Sequence, residues 1–298
     1  MSQIQQGMEE GSTSAFALLV ASSVLWGSSF VSIKIGLSYV GAYDFAFLRL
    51  AITAATLLAV LASLGKFRSN LLKEPTVWLL GLLNGAAYAL QFVGLQYTTA
   101  AKTALLIDLN VIVVALLSWR MFREAFGLRK RLGVVLGVLG ALLITTNGNP
   151  ASLAKGELKG DLIVFVSGLV WALFIVLHKR VLMQRDRNVI ELSAVVMLAT
   201  SLVLLPVALL FEGLQFGTIP IEGWAWVGFT ALACTVVPYL LWVAALKAVT
   251  ATITSVVGLL EILAAMVLSS VLLGETYATV TLLGAVLVFA SILAVAES

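Results

Sequence analysis

The chain has 298 residues, 61% hydrophobic and 11% charged, with a formal net charge of +3 and a mean hydropathy of +1.09. A water-soluble domain carries charge on roughly a quarter of its residues, so composition excludes a soluble globular chain and the two soluble domains that length alone would allow. The basic balance does not read as a nucleic-acid footprint, because Lys and Arg fall in short segments between apolar blocks; the expected partner is the lipid bilayer, not nucleic acid. Cys234 is the single cysteine, which excludes an internal disulfide and a cysteine metal cluster.

In chain order, the apolar blocks predict ten helices at about 15–35, 45–64, 76–97, 100–119, 131–147, 161–181, 189–211, 223–246, 251–273 and 277–296. Each approaches the ~20 residues needed to cross ~30 Å of hydrocarbon. Strands are excluded, since an open sheet cannot satisfy its backbone in lipid. Met1 to Ser14 holds Glu9 and Glu10 but no Lys or Arg, so the basic start of a cleavable signal is missing and the first block is expected to be a retained span. The punctuation is short, as at Gly65-Lys66, Lys73-Glu74-Pro75 and Gly148-Asn149-Pro150.

With the N-terminus inside, thirteen Lys and Arg fall in cytoplasmic loops, including Lys66, Arg68, Arg129, Arg131, Arg180, Arg185 and Lys247. Four (Lys34, Lys102, Lys155, Lys159) fall at external ends, and Arg49 lies within the second span. The positive-inside rule then places both termini in the cytoplasm and the chain in the cytoplasmic membrane.

The sequence also repeats. Ser22, Trp26 and Lys34 recur as Ser167, Trp171 and Lys179 at an offset of 145; Tyr88, Thr103, Leu109, Glu124 and Gly133 recur as Tyr239, Thr254, Leu260, Glu275 and Gly284 at an offset of 151. Two halves, 1–148 and 149–298, each of five spans, enter the membrane from opposite sides; inverted repeats of this kind carry a midplane site between the copies. These features resemble the drug/metabolite transporter superfamily, and within it the EamA-type members with ten helices. The matching pieces are Trp26-Gly27-Ser28-Ser29-Phe30, Phe45-Ala46-Phe47-Leu48-Arg49, Glu261, Gly274-Glu275 and Gly284. Two departures, Ile262 where many members have proline and Arg123 where a glycine would precede Glu124, remove the signals for a helix break at those points. The resemblance implies a carrier for amino acids or similar metabolites, commonly an exporter.

Polar groups at membrane depth should face the protein interior or a wet cavity. The third helix carries Asn84, Tyr88 and Gln91 on one face, and its repeat partner carries Thr235, Tyr239 and Trp242 at the same spacing. The first helix adds Ser22, Trp26 and Ser29, the sixth Ser167, Trp171, Phe174 and His178, the fourth Thr103 and Asn110, and the ninth Thr254, Gly258 and Glu261. Interhelical hydrogen-bond glue accounts for any one Ser or Thr; the set points to a solute cavity bordered by Trp26, Ser29, Asn84, Tyr88, Gln91, Asn110, Trp171, Thr235, Tyr239, Trp242 and Glu261.

Glu261 and Arg49 are candidates for coupling transport to an ion gradient. For Glu261 the alternative is a structural ion pair, with Arg49 as one partner; for Arg49 the alternatives are snorkelling outward or pairing with Asp44. Asp108 falls on the face opposite Asn110 and is left without a role. Lys102 and His178 are expected at the interface, and Trp78, Trp119, Trp224 and Trp226 in the aromatic belt. Gly133, Gly137 and Gly140 form a small-residue face that serves close packing within the subunit or in a homodimer. No phosphate loop, His-Glu-x-x-His or calcium loop occurs, so no cofactor or metal is expected.

The sequence therefore reads as an all-α integral membrane carrier for small metabolites. The alternatives are a nucleotide-sugar or phosphate-ester antiporter, which needs more cations at cavity depth, and an intramembrane enzyme, which needs a nucleophile–base pair. A reporter fused at the C-terminus should be active only on the cytoplasmic side. An external C-terminus would require an odd number of spans and break the inverted repeat.

Overall fold

Without water at membrane depth to pair N–H and C=O groups, apolar blocks of this length satisfy their backbone only as helices. A computed structural model describes residues 3–65, 69–97, 103, 106–123, 127–146, 148–149, 151, 158–183, 188–273 and 278–296, and among them every regular element is helical. We number the helices α1 (Gln3–Gly36), α2 (Ala42–Ser63), α3 (Pro75–Tyr97), α4 (Asn110–Phe122), α5 (Leu128–Thr146), α6 (Leu158–Met183) and α7 (Val189–Phe211). The later ones are α8 (Ile221–Ala248), α9 (Ala251–Gly258), α10 (Leu260–Leu273) and α11 (Thr279–Ala296). Seven stretches among the described residues are long and apolar enough to cross a membrane, in α1, α2, α3, α6, α7, α8 and the run from α9 into α10; α11 holds a shorter one. Lys102, Glu124, Gly274 and Glu275 lie outside the described residues.

The fourth and ninth helices, expected to be continuous, are each interrupted. Residues 106–108 are helical, the turn at Leu109 tightens (φ −58°, ψ −13°), and α4 starts at Asn110. The same turn recurs at Leu259 (φ −56°, ψ −16°), between α9 and α10. In both, the N–H three residues on donates to the turn carbonyl, Ile112 to Leu109 and Ile262 to Leu259, each at 3.2 Å. These are single 3₁₀ turns within otherwise α-helical stretches, and neither needs the missing proline.

Packing runs across the chain rather than within each half. α2 packs on α7 and α5 on α11, α1 packs on α8 and reciprocally α3 on α6, and α3 on α7 and reciprocally α2 on α8. Small residues set these distances. A Cβ at Gly81 would collide with Ala199 Cβ, and one at Gly85 would lie 2.8 Å from Val203 Cγ1, so α3 and α7 approach at backbone distance. The small-residue face of α5 is used within the subunit, with Gly140 against Gly284 and Val288 of α11 and Gly137 against Leu259 and Ser291.

A methyl group at Gly140 would meet the Gly284 carbonyl oxygen at 2.7 Å and the Val288 amide nitrogen at 2.9 Å, with nothing flexible to yield. Gly140→Ala should therefore destabilise the fold by about 1–3 kcal/mol, seen as a lower melting temperature in detergent. Gly228→Ala, which has open space around it, should be neutral or stabilising by up to about 1 kcal/mol through helix propensity.

Candidate functional site

The interrupted helices face a cavity lined from α1 (Trp26, Ser29, Phe30, Ile33), α2 (Arg49), α3 (Tyr88, Gln91), α6 (Trp171, Phe174, Ile175) and α8 (Tyr239, Trp242). The two interruptions complete it with Ile107, Asp108 and Asn110 on one side and Thr254, Ser255, Gly258 and Glu261 on the other. About 120 Å³ is open to the centre of a water molecule, against the ~10–15 Å³ that a single water needs. There is room for a small solute.

Aromatic rings form one continuous wall. Trp26 lies 6.0 Å from Trp242, Trp242 stacks on Phe174 at 6.2 Å, Phe174 meets Trp171 edge-on at 5.4 Å, and Trp171 meets Tyr88 edge-on at 5.1 Å. Tyr239 stacks on Trp242 at 5.8 Å. These are separations at which rings attract beyond their burial alone, so four helices from both halves are tied through side chains that also face the cavity.

Arg49 owes its place to a proline on another helix. Pro238 has no N–H, so the carbonyl four residues earlier, Cys234, lacks the usual α-helical donor. Residues Leu232–Val236 form a π turn there. The Arg49 guanidinium donates through Nη2 to the Cys234 carbonyl at 3.2 Å and through Nε to Thr235 Oγ1 at 2.6 Å. One turn along α2, Thr53 Oγ1 reaches the Ala231 carbonyl at 3.2 Å. Arg49 is 3% exposed and lies 5.7 Å from the Tyr88 ring centroid. It neither snorkels nor turns to Asp44, whose amide instead donates to Glu212 Oε2 at 2.8 Å.

Asp108 is brought onto the cavity wall by the turn at Leu109. Its carboxyl is within hydrogen-bond reach of the Glu261 carboxyl. Glu261 lies just past the matching turn at Leu259, where Gly27 of α1 lets the chains close: a Cβ there would lie 2.5 Å from the Glu261 carbonyl oxygen. The opposite interruption has the same device, since a Cβ at Gly168 of α6 would lie 2.9 Å from the Leu106 carbonyl oxygen.

Of the residues that the sequence assigned to a cavity, Trp26, Ser29, Tyr88, Gln91, Asn110, Trp171, Tyr239, Trp242 and Glu261 line this one. Asn84 and Thr235 do not. Asn84 Nδ2 donates to Thr200 Oγ1 at 2.9 Å in the α3–α7 interface, because the Gly81 and Gly85 contacts bring α7 too close for a cavity at that level. Thr235 is turned to Arg49 and donates to the Thr230 carbonyl at 2.7 Å, five residues back across the π turn. His178, expected at the interface, is fully buried, with Nδ1 3.4 Å from the Tyr239 hydroxyl and its ring 5.2 Å from Phe174. Sequence reasoning missed Asp108, whose only signal was an acid placed at membrane depth.

The EamA-like transporter family model matches twice, over residues 13–146 and 158–296. The chain belongs to the EamA-like transporter family. It is a multi-pass membrane transporter of the drug/metabolite class. An uncharacterized transporter of Archaeoglobus fulgidus is 30% identical over 236 residues, 77% of this chain and 78% of the relative. The uncharacterized transporter YyaM of Bacillus subtilis is 28% identical over 283 residues, covering 93% of this chain and 92% of YyaM. A protein of known crystal structure shares the fold with a TM-score of 0.78 at 17% identity, over 96% of this chain and 99% of its own.

If Arg49 serves the carbonyl from which Pro238 takes the usual α-helical donor, the two residues must be energetically coupled. Pro238→Ala restores an N–H in the helix, so Arg49→Met should cost less in that background than in the wild-type chain. A coupling of roughly 0.5–3 kcal/mol is expected, read from melting temperatures of the four proteins. Strict additivity would separate Arg49 from the π turn.

Proposed function

We propose that this transporter is a secondary carrier that moves small amphiphilic solutes bearing an amino group, amino acids or similar metabolites, out of the cell by alternating access. The observation that carries the reading is the cavity between the halves, in which one guanidinium, two carboxyls and a wall of aromatic rings face the same space. Such a site offers a cation for a carboxylate, acids for an ammonium group, and π faces for an apolar side chain. The double match of the family model and the reciprocal packing of the halves support two inverted five-helix repeats, with the cavity at their interface, as in other inverted-repeat carriers. We place both termini in the cytoplasm on the basic-residue bias.

The rival readings fit less well. A phosphate-ester antiporter wants several cations in the cavity, whereas among the described lining residues Arg49 is the one cation and Asp108 and Glu261 bring negative charge. An intramembrane enzyme wants a nucleophile beside a base. Cys234 Sγ lies 3.4 Å from Ser28 Oγ and His178 lies beside Tyr239, and neither Cys234 nor His178 lines the cavity.

Counterflow in proteoliposomes with a panel of amino acids tests the carrier reading; no stimulation of uptake by any preloaded amino acid would sink the substrate class. Glu261 is the proposed coupling group. Glu261→Gln keeps the shape and the hydrogen-bonding capacity of the neutral acid, so the variant should fold and exchange solute but lose the pH dependence of net flux. An unchanged pH profile would assign coupling elsewhere.

A further inference from the structure

Asp108 is 8% exposed, and its Oδ2 is buried and meets no N–H or O–H donor among the described residues. Its neighbour is the carboxyl of Glu261. A carboxylate only accepts hydrogen bonds, so two ionised carboxylates in contact have no bond to make and repel. A contact between two acids at this depth is satisfied when one is protonated and donates to the other. That O–H···O⁻ bond belongs to the short, charge-assisted class.

We infer that Asp108 and Glu261 form a single binding site for one proton, held between the two halves of the carrier. Among the described residues, the remaining charged or titratable groups facing that site are few. Arg49 from α2, Tyr88 from α3 and Tyr239 from α8 stand on the same cavity, and Tyr88 lies within electrostatic reach of both Arg49 and Glu261. Arg49 is committed to Thr235 Oγ1 and the Cys234 carbonyl. The described parts of α1 and α6 present Trp26, Ser29, Phe30, Trp171 and Phe174 there, His178 of α6 does not line the cavity, and α11 brings no titratable group.

Position gives the site its consequence. Asp108 sits immediately before the turn at Leu109, and Glu261 sits two residues beyond the turn at Leu259. With one proton shared, the two interrupted helices are joined by a hydrogen bond; without it, two like charges face each other across the same gap. Release of the proton therefore pushes apart two segments that belong to different halves. This deepens the carrier reading and rests on it only for the part the proton plays in transport.

Infrared difference spectroscopy on the purified, solute-free protein reads the protonated carboxyl directly. Near neutral pH the wild-type chain should show a protonated-carboxyl C=O band that is lost both in Glu261→Gln and in Asp108→Asn. The second loss is the decisive one, because the acid keeps its proton only through its partner. If Asp108→Asn retains the band at the wild-type pH, Glu261 is protonated by burial alone and the shared site is refuted. Absence of the band from the wild-type protein refutes it equally. Asp108→Ser serves in place of Asp108→Asn should the amide variant fail to elute as a folded monodisperse protein. Counterflow is measured separately: flux without the shared band removes the pair and leaves the carrier, and the band without flux does the reverse.

Discussion

A carbonyl without a donor has no water to turn to at membrane depth, and leaving it bare costs a few kcal/mol. Pro238 takes the usual α-helical donor from the Cys234 carbonyl, and Arg49 supplies one. The geometry of the cavity depends on that exchange. It holds a guanidinium, 3% exposed, at the cavity wall with a reason to stay there in the absence of solute. It stabilises a π turn, and an additional residue in a helical turn rotates the rest of the helix by about 100°, which sets the directions of Tyr239 and Trp242 relative to the first part of α8. The turn is braced twice from α2, by Arg49 and by Thr53, one helical turn apart.

Much of this was legible in the sequence because the membrane narrows the choices. Block lengths gave the helices, and the spacing of Tyr88 with Gln91 and of Tyr239 with Trp242 gave the cavity face. Phase was the part that failed. Asp108 and Asn110 lie on opposite faces only if the helix is regular through Leu109, and the 3₁₀ turn there removes that condition. Thr235 was phased as though α8 were uninterrupted, although Pro238 is the sequence signal that it is not. Asn84 has the right phase but sits where Gly81 and Gly85 admit α7. Its repeat partner is Thr235, so the two halves err in the same place. His178 shows the other limit: counting from a helix end gives depth along the axis, not whether neighbouring rings cover the residue.

The two interruptions share one construction. Each is a single 3₁₀ turn, and each is approached by a glycine on the first long helix of the other half, Gly27 of α1 at Glu261 and Gly168 of α6 at Leu106. A turn of this kind has poorer hydrogen-bond geometry than the α-helix around it, and here another helix approaches it at backbone distance. Neither glycine can acquire a side chain without moving the interrupted helix, so the position of the carboxyls is controlled from the opposite half. In the proposed mechanism, a change at the carboxyl contact would reach the packing between halves through these close approaches, with no intervening loop.

On the proposed proton site, charge would select the solute. With one proton on Asp108 and Glu261 the pair would carry one negative charge and Arg49 one positive charge, so the described lining residues would sum to zero. A zwitterion entering such a cavity leaves it neutral and finds a partner for each end. A doubly charged phosphate ester would leave an anion uncompensated at membrane depth, where burying charge is most costly, and a simple amine would have to displace the proton to keep the balance. The same arithmetic ties transport to the gradient. Loss of the proton leaves a net negative cavity that favours an added cation over a zwitterion, so the protonation state of the pair would determine which solute the carrier holds.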